Sequence, residues 1–200
     1  MLRRAIELLN AAGWTVKDGK RVNSNGEQLA VEFLAFERAS EPHHALYVKN
    51  LTSLGIDAKI RMVEPVQYRA RAQEFDFEIT VQRMVFPLTP GDILRAYFSS
   101  KAASSKGSFN FPGIADPVVD ALIERVVAAS DRSGLIMACR ALDRVLRAGR
   151  YWIPHWYKPA HWIAYWDMFG RSETKPRYAR GIPETWWYDR DKASKIESPG

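Results

Sequence analysis

Cysteine occurs once in these 200 residues, so no internal disulfide can staple the chain. Cys139 falls in the series Leu135, Cys139, Leu142, Leu146, which has helical spacing, and reads as a small buried apolar residue. A nucleophilic thiol needs a neighbouring base and an exposed setting, and the sequence offers neither. No apolar run approaches the roughly eighteen residues of a membrane-spanning helix. A secretory leader is absent from the start, where Met1 leads into the amphipathic stretch Leu2-Arg3-Arg4-Ala5-Ile6-Glu7. By itself that reads as cytoplasmic, and in a piece of a longer protein it says nothing about location. Blocks of like charge are missing too. The net charge of +6 is spread among interleaved acids from Arg3 to Lys195, which favours a solvated basic surface over a nucleic-acid footprint.

Catalytic signatures are equally scarce. There is no nucleophile elbow, no phosphate-binding glycine loop and no His-Glu-x-x-His helix. His43 and His44 are adjacent, so on a helix they diverge by about a quarter-turn or more and chelate poorly. His155 and His161 form no recognised ligand pattern. The residues call for no catalyst, metal or cofactor.

The sequence does carry alternating strand and helix signals. A first helix runs from about Leu2 to Ala12 and stops at Gly13. Asp18-Gly19 marks a hairpin turn between Trp14-Thr15-Val16 and Arg21-Val22, and Asn25-Gly26 marks a second turn. Strands are expected at 29–36, 56–63 and 75–82, with helices near 42–54 and 65–73 between them. Phe75, Phe77, Ile79 and Val81 alternate with polar residues at a period of two. Strand, helix, strand, helix, strand argues for an α/β fold with a parallel sheet. A short helix near 92–98, a polar loop over 99–108, and two helices follow. One is capped by Asp116-Pro117 and the other spans about Arg132 to Arg147.

Composition changes at Tyr151. Six of seven tryptophans lie beyond it (Trp152, Trp156, Trp162, Trp166, Trp186, Trp187). The division is therefore 1–150, an α/β lobe, and 151–200, an aromatic-rich segment in which 151–157 and 161–166 read as strands. Tyr and Trp join a broad apolar face to one polar tip, which suits a site that holds varied side chains.

Several passages, taken in order, resemble one family. Ala5-Ile6-Glu7-Leu8-Leu9-Asn10-Ala11-Ala12-Gly13-Trp14, with Asp18-Gly19 and Asn25-Gly26, resembles the "LL-x-x-AGW … dG … G" passage of the extracellular solute-binding protein family 5. These are the oligopeptide, dipeptide and nickel receptors of ABC importers. Leu51-x-x-Leu54-Gly55-Ile56 is similar to that family's helix-to-strand join, and Phe75-Asp76-Phe77-Glu78 to its "fDyd" strand. Asn110 with Gly113-Ile114-Ala115-Asp116-Pro117-Val118-Val119-Asp120-Ala121-Leu122 resembles the "N…G…dP-x-vD-x-L" signature. Arg140-x-Leu142-Asp143-x-Val145-Leu146 before Trp152-Ile153-Pro154 is similar to the "alDr-l … ip" passage. The aromatic ending most resembles the long-form subgroup linked to peptide and microcin-like uptake.

The resemblance covers about 190 residues and implies the C-terminal lobe of a type II periplasmic-binding-protein-like fold, a mixed, mainly parallel sheet flanked by helices. The tail would return toward an N-terminal lobe. It implies a non-enzymatic receptor that captures peptides or peptide-like solutes, docks on an inner-membrane ABC permease, works in the periplasm and carries its signal peptide upstream. Oligopeptide receptors of the family hold the peptide's α-amino group with an acid just after the "fDyd" strand. Here no acid follows Arg83 before Asp92, which favours a carboxylate or other anion at Arg83. The expected ligand site combines Arg83, Phe86 and Asn110 with one or two of Trp152, Trp156 and Tyr157. A basic nucleic-acid-binding or protein-interaction domain is the alternative reading of the same composition.

Overall fold

A computed structural model describes residues 2–87, 89–155, 157, 159–160, 162–177 and 181–197. The chain forms two compact units, Met1–Trp152 and Ile153–Gly200.

The first unit begins with α1 (Leu2–Ala11), which Gly13 ends with a left-handed φ of +84°. Strands β1 (Thr15–Lys17) and β2 (Lys20–Val22) form the expected hairpin. Both turn residues, Asp18 and Gly19, take positive φ, as the Asp-Gly pair permits. Then β3 (Ala30–Ala35), α2 (Glu41–Ser53), β4 (Asp57–Met62), α3 (Pro65–Gln73) and β5 (Ile79–Thr80) build a wholly parallel sheet of order β4-β3-β5. Phe33, Leu34 and Ala35 are consecutive and all buried, so the central strand is covered on both faces. On one side α2 sets His44, itself buried, against the Phe33 ring at 6.3 Å between centroids, with Tyr47 edge-on at 5.8 Å. His44 therefore packs in the core.

Strand β5 is shorter than its alternation suggests. Residues 75–78 stay outside the sheet, because Phe75 turns the chain at φ +57° and Phe77 packs on Phe111. Side chains make up for the missing ladder. The Glu78 carboxylate accepts the Glu32 N–H at 2.5 Å, and Thr80 Oγ1 donates to the Leu34 carbonyl at 3.0 Å.

The rest of the unit is helical: α4 (Ile93–Phe98), α5 (Ser100–Ala103), α6 (Pro117–Val127) and α7 (Arg132–Gly149). Helix α5 lies within the stretch expected to be a polar loop. The Ser99 side chain accepts the Ala102 N–H and starts the extra turn. Asp116 and Asp131 cap α6 and α7 in the same way. Leu94, Tyr97, Phe98, Ile114, Val119, Ile123, Val126, Leu142 and Leu146 form this core, and Cys139 packs against it. Burial pushes the Cys139 thiol up. Arg95 clasps the Glu124 carboxylate through two N–H groups, at 2.7 and 2.5 Å, tying α4 to α6 and holding that carboxyl below its ordinary range.

A second, smaller core of Leu54, Ile56 and Ala58 receives Ala5 and Leu9 from α1 and Val48 and Leu51 from α2. Beside it lies Arg21, 2% exposed. Its guanidinium donates to the Leu54 carbonyl (3.1 Å), Asn10 Oδ1 (2.7 Å) and the Trp14 carbonyl (3.2 Å). The Leu54 carbonyl is one of the unpaired acceptors at the C-terminus of α2, where a cation is favoured. Gly55 follows with φ +86°. A Cβ there would stand 2.8 Å from the Arg21 backbone nitrogen, so both conformation and space require glycine.

In the second unit β6 (Phe169–Arg171) pairs antiparallel with β7 (Trp186–Tyr188), and α8 (Arg190–Glu197) follows. The strands expected at 151–157 and 161–166 do not form among the described residues of those spans. Pro154 accounts for part of this in the first span, since proline lacks a ladder donor. Tyr165 meets Trp186 at 4.7 Å, and Lys192 reaches Asp167 at 2.9 Å. No described helix is long and apolar enough to cross a membrane.

Replacing Arg21 by Met keeps the apolar stem and strands three acceptors. The substitution should destabilise the first unit by about 2–4 kcal/mol in urea denaturation. A change under about 0.5 kcal/mol, the usual size for a surface substitution, would show that the guanidinium ties nothing together.

Candidate ligand site at the sheet crest

Strand order β4-β3-β5 has a functional consequence. The chain leaves β3 toward β4 on one side and later returns to place β5 on the other. Right-handed crossovers in opposite directions would put their helices on opposite faces, and in α/β folds of this strand order ligands bind at the C-terminal ends of the first and third strands. Those ends are Phe36-Glu37 after β3 and Val81-Gln82-Arg83 after β5, with Glu64 after β4 beside them.

The crest is well tethered. Tyr68, from α3, hydrogen-bonds Thr80 Oγ1 at 2.9 Å and donates to the Val81 carbonyl at 3.3 Å. Its ring lies 4.5 Å from Phe36, which is 43% exposed. The Glu37 carbonyl accepts both the Ser40 N–H (3.0 Å) and the Ser40 hydroxyl (2.7 Å), fixing the turn into α2. Gln82 donates to the Phe109 carbonyl at 2.7 Å, joining the crest to the 108–114 loop.

Arg83 stands here with its side chain 80% exposed, and its Nη2 donates to Glu37 Oε2 at 2.6 Å. The loop that carries Arg83 has no acid before Asp92. The structure supplies Glu37, 46 positions earlier, through the parallel pairing of β3 with β5. Its only sequence signal was its place just beyond an apolar strand.

Phe86, 40% exposed, packs on Tyr97 at 5.0 Å and Phe98 at 5.9 Å. Phe109 stacks nearly flat on Tyr97, at 5.1 Å and 14°, so an aromatic ledge adjoins the crest. Trp152 lies edge-on to Phe98 at 5.6 Å, and its indole N–H is buried with no acceptor among the described residues. Arg83 and Phe86 are thus surface-accessible, and Trp152 shares the Phe98 ring with Phe86. Tyr157, 83% exposed, belongs to the second unit, and Trp156 lies outside the described residues.

Asn110 is placed differently from its expected ligand-facing position. It is completely buried: its amide donates to the Ser99 and Ile114 carbonyls at 3.0 and 2.9 Å, and its Oδ1 accepts the Ile114 N–H at 2.9 Å. These bonds close the 110–114 turn ahead of α6, which accounts structurally for the Asn…Gly…Asp-Pro signature. Asn110→Ala would leave buried backbone groups unpaired and should cost about 2–4 kcal/mol of stability in urea denaturation. A loss of ligand affinity at unchanged stability would instead put its amide in the site.

Among the described residues no group of three His, Cys, Asp or Glu is placed to hold a metal ion. A depression of about 660 Å³ lies within the second unit, lined in part by Tyr165, Arg171, Thr185 and Trp186, and includes none of the crest.

No protein-family model matches the chain. It is 45% identical over 191 residues to the uncharacterized protein y4wM of Sinorhizobium fredii, covering 93% of this chain and 28% of that one. It is 40% identical over 187 residues to the probable peptide-binding protein YejA of Agrobacterium fabrum, covering 93% and 30%. The chain thus spans about 30% of the length of these relatives. Its fold matches that of the oligopeptide-binding protein AppA from Bacillus subtilis, solved with a nonapeptide. The TM-score is 0.72 at 18% identity, over 94% of this chain and 37% of that one. The chain is thus similar to part of these relatives, one of them named as a probable peptide-binding protein, and it shares the fold of a solved oligopeptide-binding protein.

Proposed function

We propose that this chain is the part of a periplasmic ABC-importer receptor that presents one wall of a cleft for peptides or peptide-like solutes. The observation that carries this reading is the crest at the β3/β5 switch point, where an ion pair and exposed aromatic rings meet on a fixed sheet edge. Homology to a protein named as peptide-binding supports it. Capture would proceed by closure of two lobes around the solute, the ligand shifting the population toward the closed form. The closed receptor would then deliver it to a membrane permease, with no bond made or broken by the protein. Exposed Trp162, Trp166 and Trp187 in the second unit would pack on the portion of the receptor that the relatives have beyond this chain.

Calorimetric titration with a pool of short peptides tests the reading. Binding is expected, and Arg83→Met should weaken it by roughly 1–3 kcal/mol. The melting temperature should hold, because an exposed ion pair adds little stability. Unchanged affinity in the variant would reduce Arg83 to a surface residue. Tight binding of a single-stranded oligonucleotide that falls steeply with salt would point to a polyanion-binding protein instead.

A further inference from the structure

We infer that the crest reads an intact α-amino-acid head group, with ammonium and carboxylate on one carbon, in preference to the separated termini of an extended peptide. The inference rests on the receptor reading above and specifies its ligand.

The contact between Glu37 Oε2 and Arg83 Nη2 uses one carboxylate oxygen and one guanidinium nitrogen. The second Glu37 oxygen and the remaining Arg83 N–H groups make no other hydrogen bond among the described residues, and both side chains reach solvent. The backbones that carry the two charges are held in place. The Glu37 main chain is pinned by the Ser40 contacts to its carbonyl, and the Arg83 main chain follows a segment held by Tyr68 and Gln82, while the side chains meet each other.

An ion pair at contact acts on a ligand as a short dipole. A lone carboxylate beside it meets attraction from Arg83 and repulsion from Glu37 at nearly equal distances, and the two largely cancel. A lone ammonium fares no better. A ligand with its own opposite charges roughly 3 Å apart, the spacing across one α-carbon, can lie antiparallel and satisfy both partners. An extended tripeptide separates its terminal charges by roughly 10 Å, so only one of them can reach the pair. The exposed Phe36 ring, packed on Tyr68 next to Glu37, offers an apolar surface for the stem that carries the head group. Both a free amino acid and a peptide joined through a side chain present such a head.

Two isomers isolate this claim. Nε-acetyl-lysine keeps the α-amino-acid head, whereas Nα-acetyl-lysine caps the α-amine and moves its positive charge to the far end of the stem. In calorimetric titrations of the chain, Nε-acetyl-lysine should bind at least ten-fold tighter than Nα-acetyl-lysine and trialanine. L-alanine as a further probe separates the sources. If it matches Nε-acetyl-lysine, the head alone suffices, as in a free amino acid. Weaker binding of L-alanine than of Nε-acetyl-lysine assigns a role to the stem, as in a side-chain-linked peptide. Glu37→Gln and Arg83→Met should each abolish the preference between the isomers while leaving the melting temperature unchanged. Equal binding of the isomers, or tighter binding of trialanine, overturns the inference and leaves the receptor reading intact. Failure of every probe and of a mixed peptide pool to bind would overturn both.

Discussion

The site depends on a two-residue strand pairing. β5 meets β3 only at Phe33↔Ile79 and Leu34↔Thr80. A ladder this short is weak, and the structure reinforces it with side chains. Glu78 accepts the backbone N–H of Glu32, Thr80 bonds the Leu34 carbonyl, and Tyr68 spans from α3 to Thr80 and Val81. Parallel register then does the rest, delivering residues 37 and 83 to one edge. If β5 slipped by one position, Thr80 would turn to the opposite face and the hydroxyl network would be lost. The ion pair at the crest is thus a product of register, and its geometry is only as firm as those few polar contacts.

Below the crest, stability is divided between two apolar clusters. The helical cluster of α4, α6 and α7 supports the aromatic ledge of Phe86, Tyr97 and Phe109, since Tyr97 belongs to both. The smaller cluster holds α1 and α2 against the sheet, with Arg21 as its polar centre. A buried guanidinium with only neutral acceptors carries a desolvation cost that three good hydrogen bonds must offset. In return it locks the hairpin to the end of α2 and so fixes where the chain enters β3. This links the family-like opening around Leu9-Asn10, Ala12-Gly13 and Gly55 to the position of the site.

Local chemistry made much of the fold legible. Asp18-Gly19, Gly13, Asp116-Pro117, the mostly apolar β3 and the alternating β4 each have one dominant conformational solution, and each appears where its residues indicate. The family resemblance is likewise carried by such positions: glycine, proline and a buried asparagine with fixed structural tasks. What was illegible arose from tertiary competition. The alternation from Phe75 to Val81 is a strand signal, yet a left-handed Phe75 and the packing of Phe77 on Phe111 remove half of it from the sheet. Trp152 looked like a cleft residue by composition, but Phe98 draws it toward the helical core. Glu37 went unnoticed because its significance comes only from a strand pairing with a segment more than forty residues away.

Amide hydrogen exchange on the chain, with and without a saturating pool of short peptides and Nε-acetyl-lysine, tests the central claim most directly. Capture at the sheet crest predicts that ligand slows exchange in 36–41, 64–68 and 81–87 and leaves α6 and α7 unchanged. Slowing confined to 163–177 and 181–187, or none at any segment, would contradict it.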